Sequence, residues 1–360
     1  WLKPYASSLV RVLARYCTAA AMAWTRALAQ LAFLLSSPVA RALRASSGCL
    51  GLNAGDFPLN VDQLLAQSKY SKAEFFAKLH AMGINSSIRM TEPTGLRLPN
   101  TCLAQQGKPR QHVIFVGDCM ERMSYAAYLR NEGHELAAKR SAARIGEDFR
   151  GHYFVRGTTA SYIAWLATPT LPLEKVLLFL RKHQLNPAKD TVVLWMGAAI
   201  WGWFGGDKRW VQPQTRAAML TNTLTNARLA LPGVRIIWDS PSYIDLPLMH
   251  AHPPPGDYGT YEAGLDAKLL DELSAIDNVI TAWLGVPLTQ RHLVGSMYRG
   301  LQCDGIHADP HEATHSEEWG CYSFRAYEDL VLQGGLYSAC KQRSAPYCLQ
   351  KGRWSMQRSS

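Results

Sequence analysis

The first 55 residues of this 360-residue chain contain no aspartate or glutamate, and the first acidic residue is Asp56. Over the whole chain, 38 Lys and Arg stand against 28 Asp and Glu, which gives a net charge of +10. The acid-free segment contributes six basic side chains to this excess: Lys3, Arg11, Arg15, Arg26, Arg41 and Arg44. A positive charge concentrated in one terminal segment is typical of targeting or of contact with an anionic surface.

Other features are also missing, and each excludes a class of protein. The chain has no Cys-x-x-Cys pair, which disfavours a zinc ribbon or a redox dithiol. It has no internal repeat and is 48% hydrophobic, so a disordered chain, a coiled coil and a collagen-like fibre are excluded. Residues 56–360 lack a basic run with interleaved aromatic side chains, so we expect no nucleic-acid partner.

Only residues 9–35 approach the length of a membrane span. Arg26 lies in the middle of this segment, and its polar residues recur at multiples of three or four, as on one stripe of a helix. Three interpretations stay open: a single span whose arginine faces a partner, an amphipathic helix on a membrane surface, and a mitochondrial-type targeting segment. We expect residues 9–35 to contact a membrane, and other protein chains of a larger assembly to hold both termini.

The eight cysteines leave the redox compartment open. Four of them, Cys303, Cys321, Cys340 and Cys348, follow residue 300. In an oxidising compartment they can staple the C-terminal loops, whereas in a reducing one they are ordinary buried thiols.

Short hydrophobic runs alternate with helical patterns along the body of the chain. The predicted strands are residues 112–116, 191–195, 234–238 and 279–283. The predicted helices are residues 72–82, 120–131, 173–183, 213–229, 261–276 and 323–332. Such alternation indicates βαβ units and predicts an α/β fold: a three-layer α/β/α sandwich with a parallel central sheet and an N-terminal helical extension.

The domain organisation follows from the same patterns. We expect a basic helical extension and linker over residues 1–55, an α/β domain over 56–335 and a C-terminal tail over 336–360. In parallel sheets, ligand sites lie beyond the carboxyl ends of the strands. The residues of interest are therefore 117–119, 197–199 and 239–241.

Two sequence blocks carry a resemblance to a known family. Residues 115–122 read FVGDCMER at the first strand-to-helix turn, and residues 303–307 read CDGIH near the C-terminus. Together they resemble the SGNH (GDSL-type) hydrolase superfamily, and more closely its PC-esterase and trichome-birefringence-like branch, with the blocks F-V-G-D-S-x-x-R and D-x-x-H. Residues 195–203 and 238–242 are similar to the middle blocks of that branch. The resemblance covers roughly residues 110–335 and implies an SGNH-type fold.

The resemblance also implies acyl-transfer chemistry. It places Cys119 at the nucleophile position, His307 as the base and Asp304 as the carboxylate that orients the imidazole. Asp118, Arg122 and Gly197 are the candidate binding residues beside them. Asp118 also occupies the position of a helix N-cap.

The chain departs from the family pattern in two places. Cys119 stands where the family has serine, and Met196-Gly197-Ala198 stands where the superfamily has an asparagine that stabilises the oxyanion. Loss of one such donor typically costs about 10²–10³ in rate. A cysteine that follows a strand is also commonly an inert core residue.

Two functions follow from these observations. The first is a catalytically degenerate SGNH-like domain that serves as a structural or accessory subunit of a membrane-associated assembly. The second is an O-acyl esterase or acetyltransferase that uses Cys119, His307 and Asp304. The N-terminal segment favours a mitochondrial membrane location, whereas the resemblance favours a type II membrane protein of the Golgi or secretory pathway.

We expect no cofactor and no metal. His307, His311 and His315 recur at every fourth residue, which would align them on a helix. Pro310 and the surrounding Gly and Asp residues instead indicate a solvated polar loop.

Overall fold

The computed structural model describes residues 98–142, 152–165, 173–197, 211–251, 265–297, 305 and 325–341. All of them belong to one compact unit of the chain, Phe57–Tyr347. The segment 9–35, the helix predicted over 72–82, and the residues Asp304 and His307 lie outside the described residues. Within the described ranges, no helix combines the length and the hydrophobicity needed to cross a bilayer.

The described residues form one sheet and a set of helices around it. The strands are β1 (Gln111–Gly117), β2 (His152–Phe154), β3 (Ala160–Ala164), β4 (Thr191–Gly197) and β5 (Arg235–Asp239). The helices are α1 (Cys119–Asn131), α2 (Glu135–Ala142), α3 (Leu173–Lys182), α4 (Pro213–Ala230), α5 (Leu246–Ala251), α6 (Ala267–Trp283), α7 (Arg291–Met297) and α8 (Arg325–Lys341). A 3-10 turn, Asn100–Leu103, precedes β1.

The sheet has the strand order β2-β3-β1-β4-β5. β1 pairs in parallel with β3 and β4, and β4 pairs in parallel with β5, whereas β2 lies antiparallel at one edge. β4 is buried along its whole length, and β1 is buried after its first residue. Uninterrupted hydrophobic strands of this kind are typical of parallel sheets whose two faces are both covered.

One face of the sheet packs on α1 and α8. The Phe115 ring lies 5.7 Å from the Tyr125 ring, 5.5 Å from the Tyr128 ring and 5.3 Å from the Trp195 ring, measured between centroids. Leu332 and Leu336 of α8 belong to the same buried cluster. These contacts build the first helical layer.

The opposite face packs on α3, α4 and α6. Arg216 of α4 makes two hydrogen bonds of 2.7 Å to the carboxylate of Asp277 in α6. The indole N–H of Trp238 in β5 donates to the same carboxylate at 2.7 Å. This buried, bidentate ion pair ties both helices to the sheet, and the two helical layers confirm the predicted α/β sandwich.

The strand predicted over residues 279–283 is wrong, because these residues form the last turns of α6. A short hydrophobic run such as VITAW fits a buried strand or a buried helix equally well. Here Ile280 and Trp283 continue the buried face that Leu273 and Ile276 begin at helical spacing. α6 begins after its N-cap Asp266, whose carboxylate accepts from the Leu269 N–H, and residues 261–264 of the predicted helix lie outside the described residues.

Two further differences have physical reasons. Strands β2 and β3 were not predicted, because β2 has three residues and β3 reads ASYIA, a weakly hydrophobic pattern. α8 continues to Lys341, past the predicted end at residue 332 and past the proposed boundary at 335. Gly335 resembles a helix stop, but it lies where a Cβ would press on the Trp195 ring, so the glycine permits close packing. The division of the chain into domains itself stays a prediction.

A disulfide joins the two ends of the described chain. Cys102 in the 3-10 turn bonds to Cys340 in α8 across 238 residues of sequence. Arg235 of β5 reinforces this junction, because its guanidinium donates to the Leu103 carbonyl at 2.6 Å and to the Ala339 carbonyl at 2.8 Å. Cys340 therefore anchors α8 to the turn that precedes β1 instead of stapling the C-terminal loops.

Removal of this disulfide is expected to destabilise the fold substantially. A crosslink that closes a loop of 238 residues lowers the entropy of the unfolded chain. On the chain-entropy model this stabilises the folded state by up to about 5 kcal/mol. We expect the Cys102→Ser/Cys340→Ser variant to unfold at a lower urea concentration than the wild type. Dithiothreitol should lower the wild-type midpoint and leave that of the variant unchanged; equal midpoints for both proteins would contradict the crosslink.

Candidate functional site

The carboxyl ends of β1, β4 and β5 meet at one edge of the sheet, because these strands are parallel. They end at Gly117, Gly197 and Asp239, respectively. Two of these positions, Gly197 and Asp239, are register partners on neighbouring strands. These three strand ends are among the positions that the sequence predicted for a ligand site. We call the three ends, together with the start of α1, the site edge.

Asp118 begins α1 at the site edge. Its Oδ1 accepts from the Met120 N–H at 2.9 Å, and its own N–H donates to Oε2 of Glu121 at 2.8 Å. This reciprocal arrangement is a capping box, which confirms the predicted capping role of Asp118. The Tyr162 hydroxyl donates to the carbonyls of Gly117 and Asp118 at 2.9 and 3.0 Å, which fixes the turn further.

The capping box draws the Glu121 carboxyl into the gap between two strand ends. A Cβ added to Gly117 would collide with this carboxyl, and a Cβ added to Gly197 would collide with it as well. Neither strand end can therefore carry a side chain at these positions without displacing Glu121. The carboxyl is fully buried, and its Oε1 makes no hydrogen bond to the described residues.

The environment of Glu121 favours its neutral form. Burial raises the pKa of this carboxyl well above its ordinary value, and the neighbouring carboxylates of Asp118 and Asp239 raise it further. Arg291 acts in the opposite direction without reversing the shift. Glu121 therefore places a carboxylic acid, rather than a hydrogen-bonding amide, between the ends of β1 and β4.

Arg291, the first residue of α7, connects β5 to two helices beside Glu121. Its guanidinium donates to both oxygens of Asp239, at 3.1 and 2.9 Å. It also donates to Glu328 of α8 at 2.8 Å and to the Ser124 hydroxyl of α1 at 2.6 Å. We call Asp239, Arg291, Glu328 and Ser124 the Arg291 cluster, and all four residues are buried.

The charges in this cluster are strongly coupled. Burial by itself lowers the pKa of Arg291, but Asp239 and Glu328 more than offset that effect, so the pKa is raised and the guanidinium stays charged. Burial raises the pKa of Glu328, although Arg291 opposes this. Asp239 is further held by the Thr289 hydroxyl at 2.6 Å and the Trp195 indole N–H at 3.3 Å.

Cys119, the predicted nucleophile position, is the first residue of α1 and is only 4% exposed. Its thiol lies 3.8 Å from Oδ1 of Asp118. Arg122 is also buried, and its positive charge lowers the pKa of Tyr162, although burial keeps that pKa raised overall. Gly197 lies at the site edge across from Gly117, with Glu121 between them.

Asp304 and His307 lie outside the described residues, whereas Gly305 between them is described. Its carbonyl accepts from the Asp245 N–H at 2.6 Å, and it adopts a φ of +77°, which favours glycine. Asp245 lies six residues beyond the end of β5. Gly305 therefore packs against the segment that leaves the site edge.

Sequence reasoning missed Glu121 and Arg291 as determinants of the site. The spacing of Asp118 and Glu121 is a recognisable capping-box signal, although it does not reveal where the carboxyl lies. No nearby sequence pattern indicates the role of Arg291, because its hydrogen-bond partners Met120 and Ser124 are 171 and 167 residues away in sequence. Within the described ranges, no three His, Cys, Asp or Glu side chains are grouped so as to hold a metal ion.

Comparisons with known proteins give little further information. No family model matches the chain, and no curated protein matches it. Among solved structures, the chain is similar to a protein described as a GDSL-like lipase from Parabacteroides merdae, at 9% identity and a TM-score of 0.34. The match covers 66% of this chain and 98% of that one. A likeness at this level carries no argument about function.

The position of Glu121 predicts coupling between two substitutions. Gly117→Ala should destabilise the protein by about 1–3 kcal/mol, because the new methyl group collides with the Glu121 carboxyl. In the Gly117→Ala/Glu121→Ala variant that collision is absent. The stability loss of this double variant should therefore be smaller than the sum of the losses of the two single variants, by about 1 kcal/mol. Urea unfolding of the four proteins measures this coupling.

Gly197→Ala provides the matched control. Its methyl group would also meet the carbonyl oxygen of Asp239 at 2.6 Å, and this backbone contact remains when Glu121 is shortened. The coupling energy between Gly197→Ala and Glu121→Ala should therefore be smaller than that between Gly117→Ala and Glu121→Ala. Additive losses at Gly117 would contradict the placement of Glu121.

Proposed function

We propose that this protein is a catalytically degenerate SGNH-like domain that serves as a structural or accessory subunit of a membrane-associated assembly. The observation that carries the proposal is the buried Glu121 carboxyl between the ends of β1 and β4, beside Cys119. In an acyl-transfer site this region has to stabilise a developing oxyanion. The Glu121 side chain occupies the space beside both Gly117 and Gly197, so this space is not open to a substrate oxygen.

The surroundings of Cys119 support the same proposal. Acyl transfer through cysteine requires a thiolate, which positive neighbours stabilise and negative neighbours destabilise. The thiol contacts the carboxylate of Asp118, which is a negative neighbour of this kind. With 4% exposure, the sulfur also lacks the access that an ester substrate needs.

The disulfide is informative about the cellular compartment in which the protein folds. Disulfides form and persist in oxidising compartments such as the secretory pathway and are rare in the cytosol. The Cys102–Cys340 bond therefore supports the Golgi or secretory location over the mitochondrial one. Membrane contact through residues 9–35 and partner chains at the termini remain parts of this proposal.

One observation favours the second candidate, an active O-acyl esterase or acetyltransferase. Gly305, which lies between Asp304 and His307 in sequence, packs against Asp245 in the segment that follows β5. An enzyme of this kind would need His307 within hydrogen-bond reach of the Cys119 sulfur, with Asp304 orienting the imidazole.

Ester hydrolysis distinguishes the two candidates. With p-nitrophenyl acetate as the substrate, we expect the wild type, Cys119→Ala and His307→Ala to show equal rates, because no activated nucleophile is formed. Unfolding midpoints of the variants establish that each remains folded. A rate that falls at least tenfold in both variants while they remain folded would identify an active enzyme and overturn the proposal.

A further inference from the structure

Two histidine and two phenylalanine rings meet on the face of the sheet that packs on α3. We call them the ring cluster: His112 of β1, Phe154 of β2, Phe179 of α3, and His183, which directly follows α3. The Phe154 ring lies 6.3 Å from the His112 ring and 4.9 Å from the His183 ring, measured between centroids. The Phe179 ring lies 5.9 and 4.3 Å from the same two rings. Each phenylalanine therefore contacts both histidines.

The local structure of each element brings these rings together. Phe179 and His183 are about one helical turn apart, and the His183 N–H donates to the Phe179 carbonyl at 3.0 Å. Phe154 is the register partner of Ser161 in β3, and the Ser161 hydroxyl shares a hydrogen bond of 2.9 Å with Nε2 of His112. The ring cluster therefore connects the edge strand β2 and the end of α3 to the central strand β1.

The surroundings of His112 do not stabilise a positive charge. The side chain is only 6% exposed, and its hydrogen bond to a hydroxyl forms equally well with a neutral imidazole. Every element packed against it presents an uncharged or basic group: Phe154 from β2, Ser161 from β3, Val192 from β4, and Phe179, Lys182 and His183 from α3 and the residue after it. Protonation of His112 would therefore bury a charge without a counterion.

The acid nearest along the chain is already engaged. Asp190, in the turn between α3 and β4, binds the guanidinium of Arg110 through two hydrogen bonds of 2.8 Å. It also accepts from the Asn186 N–H at 2.8 Å. Arg110 precedes His112 by two residues and adds a further positive charge to this end of β1.

Both imidazoles of the ring cluster therefore favour the neutral form. Burial lowers the pKa of His112 to about 4 from an ordinary value of 6.5, with a further contribution from His183. Burial also lowers the pKa of His183, and the positive charge of Lys182 acts in the same direction.

Acid consequently disfavours the closed ring cluster. Between pH 6.5 and about 4, an open form in which water reaches His112 binds a proton that the closed form does not bind. The closed form keeps its full stability above this window and loses stability as the pH falls through it. The equilibrium constant for opening then rises by up to about tenfold per pH unit. Glu121, whose pKa is raised, responds to pH with the opposite sign.

β2 and the end of α3 are the elements that can open at low cost. β2 has three residues, lies at the edge of the sheet, and carries Phe154, which is 45% exposed. β1, by contrast, is flanked by β3 and β4 and is buried after its first residue. Short edge elements with little buried surface open locally at a lower free energy than the centre of a sheet.

We propose that the ring cluster is a pH switch, in which protonation of His112 releases β2 and the end of α3 from β1. The open form exposes the rings of Phe154 and Phe179 to solvent. Histidine serves this purpose in other pH-sensing proteins because its charge changes in the mildly acidic range. The proposal does not rest on the proposed function, because it uses none of the residues at the site edge.

Amide hydrogen exchange of the full chain, measured by mass spectrometry at pH 7 and pH 5, tests the proposal. After correction for the intrinsic pH dependence of exchange, we expect residues 152–158 and 176–183 to exchange about tenfold faster at pH 5. Residues 191–197, which form β4, should show no such increase, and the effect should reverse on return to pH 7. An equal increase in β4 would show general acid unfolding, and the absence of any increase would show that the ring cluster stays closed; either result would overturn the proposal.

Matched variants assign the effect to His112. His112→Gln can keep a hydrogen bond to Ser161, and His112→Phe keeps an aromatic ring, but neither replacement binds a proton in this range. Both variants should therefore lose the tenfold increase at pH 5. His134→Gln, in the turn between α1 and α2, is the control and should retain the increase. Circular dichroism at pH 7 establishes that each variant is folded. An unchanged increase in a folded His112 variant, or its loss in His134→Gln, would refute the switch.

Discussion

One buried guanidinium, that of Arg291, has to balance the acidic groups that converge at the site edge. Asp239, Glu328 and Glu121 are all buried beside it, and an uncompensated buried charge costs several kcal/mol. Arg291 pairs directly with Asp239 and Glu328. The pKa of the remaining acid, Glu121, is raised by burial and by the neighbouring carboxylates, which favours its neutral form. This balance ties the start of α7 to β5, α1 and α8, so the arrangement of these elements depends on it.

The same arrangement supports the proposed structural role of the site edge. The turn after β1 is positioned as an acyl-transfer nucleophile would need, with a thiol at the first residue of α1. The neighbouring space is filled by a carboxyl group that is anchored by the Asp118 N–H. The Asp118 carboxylate, which caps α1, also disfavours negative charge on the neighbouring thiol.

The sequence was informative where structure is determined locally. The hydrophobic runs of β1, β4 and β5 and the cap at Asp118 predicted the central strands and the start of α1. Residues 279–283 were misassigned because a five-residue hydrophobic run has no period of its own. The Arg291 cluster and the Cys102–Cys340 bond could not be predicted, since their partners are brought together only by the complete fold. The Asp304–His307 block stays a prediction.

The pH dependence of stability in Glu121→Gln tests the buried carboxylic acid most directly. The pKa of Glu121 is raised in the folded protein, so between its ordinary value and the raised one the folded state binds more protons than the unfolded state. Wild-type stability should then fall as the pH rises through this window, with no such contribution in Glu121→Gln. From urea unfolding at pH 5 to 8, the stability of Glu121→Gln relative to the wild type should increase by up to about 1.4 kcal/mol per pH unit. A difference that stays constant, or that decreases with pH, would show that Glu121 is an ordinary ionised carboxylate and would contradict the account.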